Sequence, residues 1–197
     1  MILFCFLGSS IMSCFVGACP DPTFFEITDI SSINLRFSNK RPRPWITLDE
    51  NAQVKWDEYF IRFYFEVNYV AQLSKRSFGG TLQALDCGGA GSNGSKVGVR
   101  EIYLRTLLDY NETFSSGDTI NEVILSNHYT GSPEEFDEFQ TVDFYLEENK
   151  DAIQYQSFEL KITEPPSISG SSQQFELIYV LENGEIFREI TDLVKLN

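Results

Sequence analysis

The stretch WDEYFIRFYFEVNYVAQ, residues 56–72, constrains this chain more than any other. One alternate set reads Tyr59, Ile61, Phe63, Phe65, Val67, Tyr69 and Ala71, apolar throughout. The other reads Phe60, Arg62, Tyr64, Glu66, Asn68, Val70 and Gln72, and mixes apolar with charged side chains. A repeat of two marks a half-buried strand, because successive side chains leave a strand on opposite faces. The first set is expected to face a core. A strand of this length must pair with others, so a sheet is required. The chain is rich in aromatics, with Phe 17 and Tyr 9, which suits pleated surfaces better than helices.

Other segments repeat the pattern. DPTFFEITDISSINLRF, residues 21–37, reads as two short strands around Ser31 and Ser32. Pro42 and Pro44 then demand a loop or an edge. KVGVREIYLRTLLDYN, residues 96–111, places Ile102, Leu104, Thr106 and Leu108 on one face. SFELKIT, residues 157–163, turns Phe158, Leu160 and Ile162 inward. Residues 175–181, FELIYVL, are apolar on both faces, which predicts a central strand. The Asn183–Gly184 pair that follows predicts a two-residue type I′ hairpin turn. Helix signals are few: a short turn near Thr119–Leu125, and a helical start with Ser132 as cap and Pro133 at the first position. About eight short strands without helix–strand alternation predict an all-β fold, an antiparallel β-sandwich with one or two short helical turns.

The charge narrows the partners. A net charge of -14 repels polyphosphate, so nucleic acid is not an expected partner. Lys40, Arg41 and Arg43 form a small basic cluster that does not alter this.

Several stretches resemble chemical motifs and fail in a defined way. The run CGGAGSNGSKVG, residues 87–98, has the glycine spacing of a phosphate loop at Gly89 and Gly94. Ser95 separates the last glycine from Lys96, and a strand pattern follows where a helix should open. An exposed connection is the expected reading. DYNETFSSGDTI, residues 109–120, begins like a calcium loop, with Asp109, Asn111 and Thr113 at alternate positions. Phe114 then stands where glycine is needed and Ile120 where the bidentate glutamate belongs, so an Asx-rich turn is expected. His128 lacks a nucleophile-elbow serine and reads as an exposed loop residue. One histidine and the cysteines make no structural zinc set. No catalytic residue and no cofactor are expected. Trp45 and Trp56 flank the Pro-rich loop and are the candidate ligand-binding pair, for a carbohydrate platform.

The opening MILFCFLGSSIMSCFVGACPDP is apolar but too short for a membrane span. It has the length of a secretion-signal apolar region, without basic residues before it. IMSC and VGAC both resemble a lipobox, which makes Cys14 the candidate lipidated residue and Cys19 the alternative. Parity among Cys5, Cys14, Cys19 and Cys87 favours Cys14. Cys5 leaves with the signal, and Cys19 and Cys87 remain as a disulfide pair in an oxidising compartment. The expected organisation is a removed signal over residues 1–13, a lipidated tether over 14–23 and one sandwich domain over 24–197.

These features together resemble a known group. An apolar start ending in SC, a second Cys before DPTFFEI, a later DC with glycines, TLLDYN with SGDTINEVI, and the closing QQFELIYVLENGEIF are similar to small lipoproteins of the Bacteroidota. The resemblance implies an Ig-like β fold, export and a lipid anchor in the outer membrane, periplasmic or surface facing. It carries over no catalytic residue and no defined activity. The expected role is non-catalytic binding or assembly, with a glycan or an envelope protein as partner. A carbohydrate-binding or carbohydrate-active accessory protein is the alternative.

Overall fold

The computed structural model describes residues 23–38, 45–71, 90–128 and 139–197. In chain order these hold β1 (Thr23–Phe37), β2 (Trp45–Thr47), β3 (Ala52–Val54), β4 (Tyr59–Ala71), β5 (Val99–Thr106), β6 (Ile124–His128) and β7 (Gln140–Thr141). Then follow α1 (Val142–Asn149), β8 (Ser157–Ile162), β9 (Ser171–Gln173), β10 (Phe175–Leu181), β11 (Ile186–Ile190) and β12 (Val194–Leu196). The Pro42–Pro44 break, the basic cluster, the start at Ser132 and Pro133, and all four cysteines lie outside the described residues.

The fold is all-β, an antiparallel sandwich. One sheet has the order β2-β1-β4-β8-β6-β7 and the facing sheet the order β11-β10-β5. A small third sheet, β3-β12-β9, closes one end and contains a parallel pair, β3 with β12. The core lies between the two main sheets. Tyr179 of β10 meets Phe65 at 5.2 Å and Phe158 at 5.6 Å, ring centre to ring centre. Phe63 stacks on Phe158 at 5.1 Å. Tyr59, Ile61, Phe63 and Phe65 are buried as the alternation requires, and Val67 and Tyr69 emerge where the strand outruns the facing sheet. The first three residues of that stretch, Trp56–Glu58, form a 3-10 turn rather than strand.

Residues 23–37 form one strand, not two. A bulge between Ile27 and Asp29 shifts the register against β4. Before it, odd-numbered Phe25 and Ile27 face the core; after it, even-numbered Ile30 and Asn34 do. An extra residue on one strand reverses its alternation, which explains the two apparent runs. Asn34 is buried but satisfied: Tyr59 Oη donates to its Oδ1 at 2.8 Å, and its Nδ2 donates to Asp192 O at 2.8 Å.

Two further expectations, the end of β5 and the β10–β11 turn, are corrected; the short turn expected near residue 120 is present, and a helix follows β7. The strand after the glycine loop ends at Thr106, and Leu108 is exposed beyond it. The turn near residue 120 is a 3-10 turn, Asn121–Val123, and the chain enters β6 at Ile124. An α-helix, α1, begins at Val142 with Thr141 as cap, its hydroxyl accepting from Phe144 N at 3.3 Å. The β10–β11 turn is not type I′, because Gly184 takes positive φ (89°) and Asn183 does not. Gly184 N donates to Leu181 O and Leu181 N to Glu185 O, both at 2.9 Å. This is a three-residue loop with glycine at the left-handed position.

Candidate functional site

An edge strand carries unpaired N–H and C=O groups on one side, and folds usually seal that side. Two of the described edges, along β5 and the start of β1, follow this rule. Along β5 the segment 107–121 folds back. Thr106 N donates to Asp118 O at 3.0 Å and Ile120 N to Leu104 O at 2.8 Å. Asn121 completes the seal, accepting from Leu104 N at 3.0 Å and donating to Ile102 O at 2.7 Å. Along β1, Phe25 N donates to Gly94 O at 3.0 Å, the bulge interrupts the edge, and Asp29 Oδ1 accepts from Ile30 N at 2.9 Å. Leu48 N donates to Asn34 O at 2.9 Å, and β2 pairs with the end of the strand at Leu35–Phe37.

β11 is an edge without such a seal among the described residues. It ends the three-stranded sheet and pairs with β10 on one side. Leu181 N bonds Glu185 O and Thr191 N bonds Phe175 O, so odd-numbered positions face β10. The backbone groups of Ile186, Arg188 and Ile190 therefore face away from it. Among the described residues no strand pairs with that side. Ile186 is 56 % exposed and Ile190 54 %. Arg188 stands between them, its side chain 55 % exposed, donating from one terminal nitrogen to Glu176 at 2.9 Å.

A groove of about 600 Å³ adjoins this edge. Phe25 and Ile27 of β1 and Ile186 and Phe187 of β11 line it, with Lys96 and Glu185 among its polar residues. Farther along the same seam, Ser32 Oγ donates to Glu189 Oε1 at 2.6 Å. An open edge beside a partly apolar groove can take up an extended segment by main-chain hydrogen bonds, with pockets reading alternate side chains.

The structure does not gather the sequence-predicted candidates at this edge. Trp45 lies in β2, edge-on to Phe60 at 5.0 Å, with the Arg62 guanidinium 5.2 Å from its ring centre. Phe60 belongs to the outer face of the six-stranded sheet, opposite the Tyr59–Ile61–Phe63 face. Trp56 is half-buried against the core, and its backbone N–H donates to Asn197 O at 3.2 Å. The two indoles thus serve different sides of the molecule. Below Trp45, Arg62 and Glu159 form a buried pair, with side chains 7 % and 3 % exposed. Arg62 Nε donates to Glu159 Oε1 at 2.7 Å. Burial pushes the Glu159 carboxyl above its ordinary range, and Arg62 offsets part of that rise.

His128 is not a loop residue. It closes β6, lies 3.1 Å from Glu148 Oε2, and packs at 5.0 Å on both Tyr145 and Tyr155. The glycine segment is not a merely exposed connection either, since Gly91, Gly94, Ser95 and Gly98 are buried. Ser95 N donates to Ile153 O, and Ile153 N donates back to Ser95 Oγ. The strand β5 follows, not a helix. The 109–118 loop is the Asx turn expected. Asn111 Oδ1 accepts from Thr113 N and Phe114 N, and Asp109 and Asp118 accept from Ser116 N and Ser115 N. Phe114 and Ile120 are buried in the core. Lipidation at Cys14 or Cys19, and a Cys19–Cys87 bridge, fall outside the described residues.

Sequence reading placed the hairpin's second strand here but did not mark it as an edge, because Ile186, Phe187 and Ile190 put apolar groups on both alternations. Its signal was the charge at Arg188, a device common on exposed edges. No family model, curated protein or solved structure matches the chain.

Proposed function

We propose that the chain is a non-catalytic binding or assembly protein of the cell envelope, and that it takes its partner by strand addition to β11. The observation that carries this reading is that, among the described residues, no strand pairs with the outer side of β11, while hydrogen bonds cap β5 and the start of β1. The envelope setting is supported by the apolar start and the lipobox-like IMSC. A lipid on Cys14, or Cys19 in the alternative, holds the sandwich at the outer membrane, facing the periplasm or the exterior. A glycan platform would need Trp45 and Trp56 on one face, and the first packs on the outer sheet face while the second packs on the core.

Two measurements test this reading. A photo-crosslinking residue placed at Arg188 in cells should give a protein adduct. The same residue placed at exposed Asp118, on the sealed β5 side, should give none. No adduct from position 188, or equal adducts from both, would overturn strand addition. Intact mass of the protein from the membrane fraction should show a diacyl or triacyl group on the anchoring cysteine. An unmodified chain would remove the lipid anchor.

A further inference from the structure

We propose that Asn183 is a site of spontaneous covalent modification, converting to aspartate and isoaspartate by ring closure with Gly184, with Glu185 assisting. The conversion needs no enzyme and no partner at β11.

An asparagine followed by glycine can cyclise because glycine has no β-carbon to shield its nitrogen. The chain has two such pairs, Asn93–Gly94 and Asn183–Gly184. The fold treats them differently. Gly94 is buried; its N donates to Gly91 O at 2.9 Å and its O accepts from Phe25 N at 3.0 Å. A β-carbon there would lie 2.6 Å from Ile153 O, so neighbouring backbone holds the segment in place. Residues 182–185, by contrast, are exposed at the tip of the hairpin. Gly184 N, the attacking atom, donates to Leu181 O at 2.9 Å, and a bond at an exposed turn opens at little cost.

The Asn183 side chain is already held for the reaction. Its Oδ1 accepts from Glu185 N at 3.0 Å, and its Nδ2 donates to Glu185 Oε2 at 2.8 Å. These partners fix the orientation of the amide: an N–H faces its oxygen and a carboxylate faces its nitrogen. In the reaction Gly184 N loses its proton and bonds Asn183 Cγ. Negative charge gathers on Oδ1, where the Glu185 N–H stabilises it. The Cγ–Nδ2 bond then breaks. Glu185 takes up the proton from Gly184 through water and returns it to Nδ2, which leaves as ammonia. Water opens the resulting succinimide at either carbonyl and gives aspartate or isoaspartate.

The product cannot rebuild the turn. A carboxylate oxygen replaces Nδ2, so two carboxylates meet where a 2.8 Å hydrogen bond stood, beside exposed Glu182. Isoaspartate also adds a methylene to the main chain within the loop that the Leu181–Glu185 bond closes. The turn therefore loosens in one direction only, and Asn183 and Glu185 both line the groove beside β1.

The test incubates the folded full chain in mildly alkaline buffer and maps its peptides at intervals. The peptide holding Asn183 should gain one dalton and yield isoaspartate. Conversion at Asn93 should lag by more than about 10-fold. Glu185→Gln keeps an acceptor for Nδ2 but removes the base, and should slow conversion at position 183 by about 10-fold or more. In the converted protein the Gly184 and Glu185 amides should exchange with deuterium faster than in the parent. Equal conversion at both pairs in the folded chain would overturn the selection by the fold. Position 183 intact in the folded chain after a urea-unfolded sample has converted would show that the turn protects its asparagine, and the proposal fails. Glu185→Gln at the parental rate would remove the assisting role, and unchanged amide exchange would remove the loosening.

Discussion

Replacing Gly98 by alanine is expected to destabilise the fold by about 3 kcal/mol or more. A β-carbon at this position would lie 1.7 Å from Lys150 O and 2.7 Å from Asn149 O. Both are backbone atoms at the C-terminal end of α1, so no side chain can rotate away. Relief requires the loop or the helix end to move. The loop is held by Phe25 N to Gly94 O and by the two Ser95–Ile153 bonds, and Gly98 O itself accepts from Glu182 N at 2.9 Å. Gly184→Ala is the informative contrast. That glycine has positive φ but open space around it, so the expected loss is about 1–2 kcal/mol, the left-handed backbone term alone. Urea unfolding of both variants measures the difference. A Gly98→Ala protein within about 1 kcal/mol of the parent would mean that the loop and α1 do not meet in solution.

Removing the charge of Arg62 should be nearly as damaging, with a pH signature. In Arg62→Met the Glu159 carboxyl remains buried without its cation, and about 3 kcal/mol is expected to be lost at pH 7. Burial already holds the Glu159 carboxyl above the ordinary carboxylate range with Arg62 present. Without Arg62 the rise is larger, because the counter-charge that lowered it is gone. The folded state then keeps its proton to higher pH than the unfolded chain does. Stability is therefore fullest below the ordinary carboxyl range and falls as pH rises through the folded-state value. The variant's deficit should shrink toward about pH 4. Arg62→Met combined with Glu159→Gln should remove the slope and recover much of the loss. Unfolding free energies from pH 4 to 7 provide the check. A flat profile for Arg62→Met, or a double variant no better than the single, would show that the pair is solvated.

The elements legible in the sequence were those whose two faces see different surroundings for several residues. β4 is the clear case: Tyr59, Ile61, Phe63 and Phe65 face the core without interruption. β8 and the central strand β10 were legible for the same reason. The bulge in β1 was not, because an inserted residue leaves no mark in composition and only reverses the phase after Ile27. α1 was hidden by its own sequence: VDFYLEEN buries Val142, Tyr145 and Asn149 and exposes Phe144, so its apolar stripe is weak. Arg62 and Glu159 read as outward, solvated charges, and they are outward. What covers them includes Trp45, contributed by a three-residue strand too short to announce itself. The open edge is the hardest kind of feature to see in advance. It depends on strand order in the sheet and on which neighbour does not arrive, and neither is written in the alternation of IFREI.

The unequal treatment of the two sides of the three-stranded sheet sets a valence. A sheet open on both sides can be extended by one copy after another and grows into a filament. Here Asn121 and the folded-back segment 107–121 occupy the far side, so a strand joined to β11 meets a sheet that cannot continue beyond β5. If β11 takes its partner as proposed, this sheet offers no second place to grow, and the expected complex is one to one.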